Sequence, residues 1–143
     1  MNVSDNFEVL ELNQEDQKWV ETSLQIAKEM VDFYLKVKPE NYLDPLLLDQ
    51  LFIACLEDLE QKKITPNVIV AALGCALGQC LINELGFRWI IYKDELGADV
   101  ALKHDQSNWF AYPISSVLKR IDTGETNFIS AIVESYKKGI EKE

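Results

Sequence analysis

The chain has 143 residues, of which 48% are hydrophobic and 10% aromatic, and this is enough for one domain with a core of its own. Its formal net charge is −10, and so acidic a surface repels the phosphates of nucleic acids and anionic lipids, so we expect binding to neither nucleic acid nor membrane. The first residues are acidic where a signal peptide would be basic, and no apolar run approaches the roughly 18 residues that span a bilayer. We therefore expect a soluble, cytoplasmic protein.

The three cysteines, Cys55, Cys75 and Cys80, agree with a reducing compartment. Their number is odd, no CxxC motif is present, and all three fall in helical patterns, which predicts buried free thiols. Because the further Cys or His ligands of a zinc site are missing, we predict no metal and no cofactor.

A helix over residues 14–37 follows an N-terminal arm of residues 1–13. Two neighbouring apolar stripes occupy more than half of its circumference. They consist of Val20, Leu24, Ala27, Val31 and Leu35, and of Trp19, Ile26, Met30, Phe33 and Val37. This is wider than one packing contact needs, so the helix either contacts two elements or leaves residues 19–37 as a face for a partner, such as a second copy in a homodimer.

The second and third helices are predicted to begin at Asp44–Pro45 and Thr65–Pro66, because each pair offers an N-cap side chain followed by proline at the first helical position. The third helix, over residues 66–85, is apolar almost all round and belongs inside the molecule. Within it, Gly74 and Gly78 each cost about 1 kcal/mol relative to alanine. We therefore predict that a sheet or another helix packs close against these two glycines.

A small sheet is predicted directly after this central helix. The segments "FRWIIYKD" (87–94), "ADVALKH" and "WFAYP" (109–113) are rich in β-branched and aromatic residues, and "DELG" and "DQSN" supply turns between them. Two more helices follow. The sequence thus predicts an α+β fold of order ααα-βββ-αα with a three-stranded antiparallel sheet. We expect residues 1–143 to form a single domain, with a helical pair over 14–62 and the central helix, meander and C-terminal helices over 63–143.

Charged side chains around the predicted hairpin and the helix after it form a candidate polar cluster: Asp94, Asp99, Lys119, Arg120 and Glu125. Lys119 and Arg120 are adjacent bases in an acidic chain, and they could brace the aspartates or hold an anion. Paired carboxylates also serve acid–base catalysis or bind a hard cation, but the spacing matches no EF-hand. The single histidine, His104, is predicted at an exposed turn, and no catalytic set of residues is found.

Four aromatic residues of the predicted sheet form a candidate aromatic surface: Trp89, Tyr92, Trp109 and Tyr112. Successive strand residues point to opposite faces, so Trp89 and Tyr92 face opposite ways, as do Trp109 and Tyr112. One member of each pair is expected on the central helix. The other either fills further core space or lies outward as a binding surface.

From about Leu73 to Glu125 the chain carries an ordered set of glycines, apolar residues and a few charges. The set is "LGCALGQCLINELGFRW", then Asp94, Gly97 and Asp99, then "YPISSVLKRIDTGE". In this order of residues the chain resembles a family of small, mainly bacterial domains known as domain of unknown function 3806. The family has no assigned activity, so the resemblance supports the α+β fold and implies no mechanism.

The charge is unevenly placed, with 14 acidic and 6 basic side chains in residues 1–65 but 10 and 8 in residues 66–143. This asymmetry favours a non-enzymatic protein-interaction domain for a basic protein partner, such as an immunity-type protein that masks a basic toxin or nuclease. The alternative is a small-molecule or ion-binding domain, or a weak enzyme, with a pocket between the central helix and the hairpin. Its polar groups would be the aspartates and bases of the polar cluster.

Overall fold

Five helices and four antiparallel strands make up residues 6–142, the part of the chain that the computed structural model describes. In chain order they are β1 (Glu8–Leu10), α1 (Gln14–Leu35), α2 (Pro45–Glu60), α3 (Pro66–Leu85), β2 (Phe87–Asp94), β3 (Gly97–His104), β4 (Phe110–Ala111), α4 (Pro113–Thr123) and α5 (Phe128–Glu141). The predicted α+β class is confirmed. The predicted count of three strands is wrong, because the N-terminal arm contributes a fourth.

The sheet is a meander in which each strand pairs antiparallel with the next, in the order β1-β2-β3-β4. The additional strand, β1, lies along the outer side of β2 and places Val9 opposite Tyr92. Its three residues are too few for a periodic pattern, and only the paired edge of β2 makes them a strand. Residues 1–5 of the predicted arm lie outside the described residues.

Short polar side chains set the starts of the first two helices. Asn13 and Asp16 form a reciprocal capping box at the start of α1. The carboxylate of Asp44 accepts the Leu46 N–H at 3.1 Å, as expected for the N-cap of α2. At the other end of α3, Gly86 takes a left-handed φ of 81°, which only glycine adopts without strain and which ends the helix.

The central helix α3 is contacted by all four other helices and by both long strands. Every residue from 72 to 78 is buried. Among the described helices, α3 is the one whose length and composition could also cross a membrane, with 20 residues and a mean hydropathy of 1.8. Its uninterrupted apolar run covers residues 68–78, because Asn67 and Gln79 on either side are polar. A mostly buried core helix meets the same criterion, because its apolar side chains face other elements on every side.

Gly74 and Gly78 lie where α3 meets α4 and β2. A Cβ at Gly74 would lie 2.7 Å from Ile114 Cδ1 and 3.1 Å from Ile114 Cα, so the backbone at the start of α4 comes close to this glycine. A Cβ at Gly78 would overlap the indole ring of Trp89. The neighbours of the two glycines are therefore the first turn of a helix and one aromatic ring, and no strand backbone approaches them as closely.

Candidate functional site

The residues of the predicted polar cluster lie in two separate places. Asp94 accepts the backbone N–H two residues further on at 2.9 Å, and so shapes the turn between β2 and β3. Arg120 Nε–H donates to Glu125 Oε2 at 3.1 Å, at the end of α4. Among the described residues, neither Lys119 nor Arg120 forms an ion pair with Asp94 or Asp99. The carboxylate of Asp99 is thus left without a cationic partner.

Two of the four predicted aromatic residues pack inward against glycines. The ring of Trp89 lies on Gly78 of α3, and the ring of Trp109 lies on Gly139 of α5 so closely that no Cβ could be added there. Both indoles therefore fill space between the sheet and a helix. Gly139 has no second glycine at helical spacing, so no pattern in the sequence marked it.

The other two aromatic residues belong to an outer aromatic cluster formed by Phe7, Tyr92, Phe110 and Tyr112. The ring of Tyr92 stacks on Phe7 with 5.1 Å between centroids, and meets Phe110 and Tyr112 edge-on at 5.5 and 5.7 Å. Tyr112 remains 42% exposed. Burial, together with the neighbouring Tyr92, raises the pKa of Tyr112 above its ordinary value, so its hydroxyl stays protonated at neutral pH.

His104 is buried and not at an exposed turn, so that prediction is corrected. Its Nε2 lies 3.0 Å from the Leu85 carbonyl oxygen and its Nδ1 lies 2.9 Å from Ser107 Oγ. A carbonyl only accepts, so Nε2 carries a proton and donates it to Leu85. Through Nε2 the ring joins the end of β3 to the end of α3, and through Nδ1 it contacts Ser107 in the turn that follows β3.

The three cysteines are free and buried. Burial raises the pKa of each thiol, of Cys55, Cys75 and Cys80, to about 12. A thiol with so high a pKa is a poor nucleophile at neutral pH. In the part of the chain that the structure describes, no three His, Cys, Asp or Glu side chains converge on a site for a metal ion.

One carboxylate is buried although no pattern in the sequence predicts it. Asp49 of α2 is only 3% exposed, and it accepts the N–H groups of Ile129 and Ser130 at 2.8 and 3.2 Å, as well as the Ser130 hydroxyl. It thereby caps α5 from a different helix, since Asn127 at the N-cap position makes no side-chain cap bond. Asp49 is structural, and no local sequence signal connects two positions 80 residues apart.

An open cleft lies beside the hairpin, at the free side of β3. Its volume is about 350 Å³. It is formed by Asp16, Trp19, Tyr92, Ala98, Asp99, Val100, Tyr112, Ile114 and Ser115, and we call it the edge cleft. Of the predicted site residues, it brings together Asp99, Tyr92 and Tyr112. The contribution of α1 is not predictable from the sequence, because nothing local indicates that its first turns reach the sheet.

The edge cleft exists because β4 is short. Its two residues pair with Leu102 and Lys103, and Pro113 then begins α4 and leads the chain away from the sheet. Antiparallel pairs alternate in type, and the pair that closes a two-residue hairpin turn is hydrogen-bonded. The backbone groups of Ala98 and Val100 therefore point away from β2, into the edge cleft, where no described strand pairs with them.

The edge cleft is acidic. Asp16 accepts the Asn13 N–H at 3.3 Å, whereas Asp99 has no hydrogen bond or ion pair with any described residue. Of the described residues that line the cleft, none is a lysine or an arginine. Two carboxylates without a counterion at the rim of one cleft produce a negative local potential that attracts a cation.

The carboxylates of the described acidic half, residues 6–65, also lack ion-pair partners. The ion pairs formed within residues 6–142 are Arg88 with Asp105 and Arg120 with Glu125. No carboxylate between residues 6 and 65 takes part in one. The excess of negative charge predicted for this half is therefore not neutralised by neighbouring side chains.

The fold and its clefts define a small acidic α+β domain without a recognisable catalytic centre among the described residues. A family model described as a domain of unknown function (DUF3806) matches residues 54–132, which is more than half of the chain. The chain belongs to this family. The match extends beyond the predicted stretch of 73–125 on both sides, into α2 and α5. It includes the hairpin and the α4 side of the edge cleft but not the α1 side.

Similarity to a solved structure supports the same fold. A crystal structure from Bacteroides thetaiotaomicron VPI-5482 superposes with a TM-score of 0.67 and 17% sequence identity, over 96% of this chain. The chain spans about half of the solved protein, 48% of its length. At this identity the similarity shows the fold alone. Among curated proteins no match was found.

Proposed function

We propose that this chain is a non-enzymatic protein-interaction domain that binds a basic protein partner. The observation that carries the proposal is the set of carboxylates in residues 6–65, none of which has an ion-pair partner among the described residues. Unpaired surface charge of one sign speeds encounter with a partner of the opposite sign and selects against other partners. An immunity-type role, in which an acidic domain masks a basic toxin or nuclease, fits this arrangement.

The outer face of α1 offers apolar anchors within this acidic surface. Phe33 is 72% exposed and Trp19 is 40% exposed, and exposed acids such as Glu21 and Asp32 lie on the same helix. Aromatic anchors surrounded by polar residues are typical of protein interfaces. A homodimer through residues 19–37 would use the same face.

A cytoplasmic location is part of the proposal. Cys55, Cys75 and Cys80 are all free, and free buried thiols are characteristic of reducing compartments. His104 and the three thiols are each engaged in packing or hydrogen bonds within the core, which supports a binding role over a catalytic one.

The test is affinity capture from the native cell with the immobilised protein, followed by elution with increasing salt and mass spectrometry. We expect a basic protein that elutes as salt screens the interaction. Reversal of two exposed charges of α1, Glu21→Lys with Asp32→Lys, abolishes its retention. The matched pair Asp122→Lys with Glu134→Lys, on α4 and α5, retains it. The proposal is contradicted if the wild-type protein retains no basic protein at low salt, or if both charge-reversal variants retain it equally.

A small-molecule ligand is the second candidate, because the edge cleft of about 350 Å³ beside the hairpin could hold one. Of the polar groups predicted for such a pocket, Asp99 lines it. Thermal-shift screening against metal ions and metabolites tests this role. A ligand-binding role predicts that some compound raises the melting temperature. Asp99→Ala removes this stabilisation, whereas Arg120→Ala, at a residue outside the cleft, leaves it intact. A screen without any shift counts against the role.

A further inference from the structure

We propose that the edge cleft takes an extended segment of the basic partner as an additional strand on β3, with a lysine or arginine of that segment between Asp16 and Asp99. This inference rests on the proposed function and adds a contact with the same partner beside the outer face of α1. The occupant is an extended basic peptide segment of another protein.

The backbone geometry of β3 provides the first support. Ala98 and Val100 direct their N–H and C=O groups away from β2, and β4 stops before reaching them. The next pair along, Leu102 with Ala111, shows that the same side of β3 accepts a strand. An exposed strand edge with unpaired backbone groups is a template for a further strand, and peptide-binding domains use such edges.

The charges of the edge cleft decide which peptide fits. Asp99 projects from the free strand itself, and Asp16 stands at the α1 side of the cleft. A segment bound along β3 would therefore pass two carboxylates and no base. The same charges disfavour a second copy of this chain, because antiparallel pairing of two β3 edges would bring two Asp99 carboxylates close together, and like charges across a strand pair are destabilising.

Aromatic side chains provide the remaining contact surface. Trp19 and Tyr112, 40% and 42% exposed, both line the edge cleft. In a bound strand, alternate side chains point to opposite sides, so residues between the basic ones would pack on these rings. Aromatic rings of this kind also attract lysine and arginine through cation–π contacts. A segment that alternates basic and β-branched residues satisfies all three features of the cleft.

Isothermal titration calorimetry with a short capped peptide of alternating valine and arginine tests the inference. We expect binding that weakens about tenfold or more in Asp99→Lys, which corresponds to about 1.4 kcal/mol or more. Glu60→Lys, the same charge reversal on α2, retains the wild-type affinity. An alternating valine and glutamate peptide does not bind.

The backbone contribution is tested separately. Ala98→Pro removes an outward-facing N–H and leaves the pairing with β2 intact, so it weakens peptide binding, whereas Ala98→Thr preserves the N–H and the affinity. Thermal melting confirms that both variants fold. As a test that needs no change in the protein, a valine–arginine peptide methylated on alternate backbone nitrogens, which cannot donate the same hydrogen bonds, binds more weakly.

The outcomes separate this inference from the proposed function. If a basic partner is captured from the cell and Asp99→Lys and Ala98→Pro bind both it and the peptide as the wild type does, the edge cleft is not the docking surface and only this inference fails. If neither the peptide nor any basic protein binds the wild-type chain, both fail. Self-association of the wild type that Ala98→Pro abolishes would assign the edge to a second copy and overturn the proposal.

Discussion

Asp49 carries out, from another helix, the capping that a local side chain usually performs. Its carboxylate satisfies two backbone N–H groups and one hydroxyl at the start of α5, while Asn127 makes no cap bond. Charge-assisted bonds of this kind in a buried place are among the stronger polar contributions to a fold. A single carboxylate thus joins α2 to α5.

We therefore expect Asp49→Ala to lower the free energy of unfolding by about 2–3 kcal/mol, because it leaves buried donors without an acceptor. Asp49→Asn keeps one acceptor oxygen and loses less. Urea denaturation followed by circular dichroism measures both. The exposed Asp122→Ala serves as the control; a loss for Asp49→Ala no larger than for this control would contradict the capping role.

The buried thiols make stability depend on alkaline pH. Burial raises the pKa of Cys55, Cys75 and Cys80 from 9.0 to about 12, so the folded state holds their protons more tightly than the unfolded state. Their contribution to stability is fully present below about pH 9 and is lost as the pH rises towards 12.

The measurement is the urea midpoint as a function of pH, together with thiol labelling. We expect the midpoint to fall above about pH 9, and to fall less in a variant with Cys55→Ala, Cys75→Ala and Cys80→Ala. At neutral pH the native thiols react slowly with a disulfide reagent and rapidly in denaturant. Rapid labelling of the folded protein would show that a thiol is exposed, contrary to the structure.

At the scale of the elements, α3 shows why a chain places two glycines in a helix interior. Gly74 admits the backbone of α4 and Gly78 admits the ring of Trp89. Each glycine weakens the helix by about 1 kcal/mol, and the close packing that it permits offsets this loss. Gly139 of α5 does the same for Trp109, so the sheet is joined to two helices by indole rings seated on glycines.

We predict that Gly78→Leu lowers the free energy of unfolding by about 1–3 kcal/mol or more, because the added side chain overpacks the contact with Trp89. The second substitution Trp89→Leu makes room and recovers part of the loss, so the two changes are not additive. Chemical denaturation of the two single variants and the double variant gives the coupling. Unchanged melting of Gly78→Leu would place that position at the surface.

Much of the element order follows from local sequence, and the exceptions share a physical cause. The N-cap at Asp44, the central helix and the β2–β3 hairpin depend on neighbouring residues, and the sequence predicts them. The strand β1 and the capping of α5 by Asp49 depend on distant partners. His104 looked like a turn residue because the sequence does not show that Leu85 and Ser107 meet its ring.

The candidate site also combines residues that the sequence indicates with residues that only the fold brings near them. Asp99, Tyr92 and Tyr112 were recognisable as chemistry-bearing residues of the sheet, but the cleft that joins them also needs Trp19 and Asp16 of α1. No spacing in the sequence links these positions. The predicted connection of Asp99 to Arg120 has no ion pair in the structure, and Arg120 instead pairs with Glu125, just past the end of α4.

At the scale of the whole molecule, charge and topology favour the same role. The acidic residues 6–65 have no internal counterions among the described residues, and the sheet leaves one side of β3 open next to them. In the proposed complex a basic segment of the partner adds to the sheet at this edge, and the core keeps its arrangement. The chain spans 48% of the solved structure that shares its fold, so this fold occurs there within a larger protein.

The most direct test is a nuclear magnetic resonance titration of the isotope-labelled protein with the valine–arginine peptide. We predict that the largest amide shifts arise at Ala98 and Val100, that the indole N–H of Trp19 shifts with them, and that the indole signals of Trp89 and Trp109 stay in place. Saturating binding with shifts confined to other surfaces, or no shifts at all, would contradict a strand-binding edge on β3.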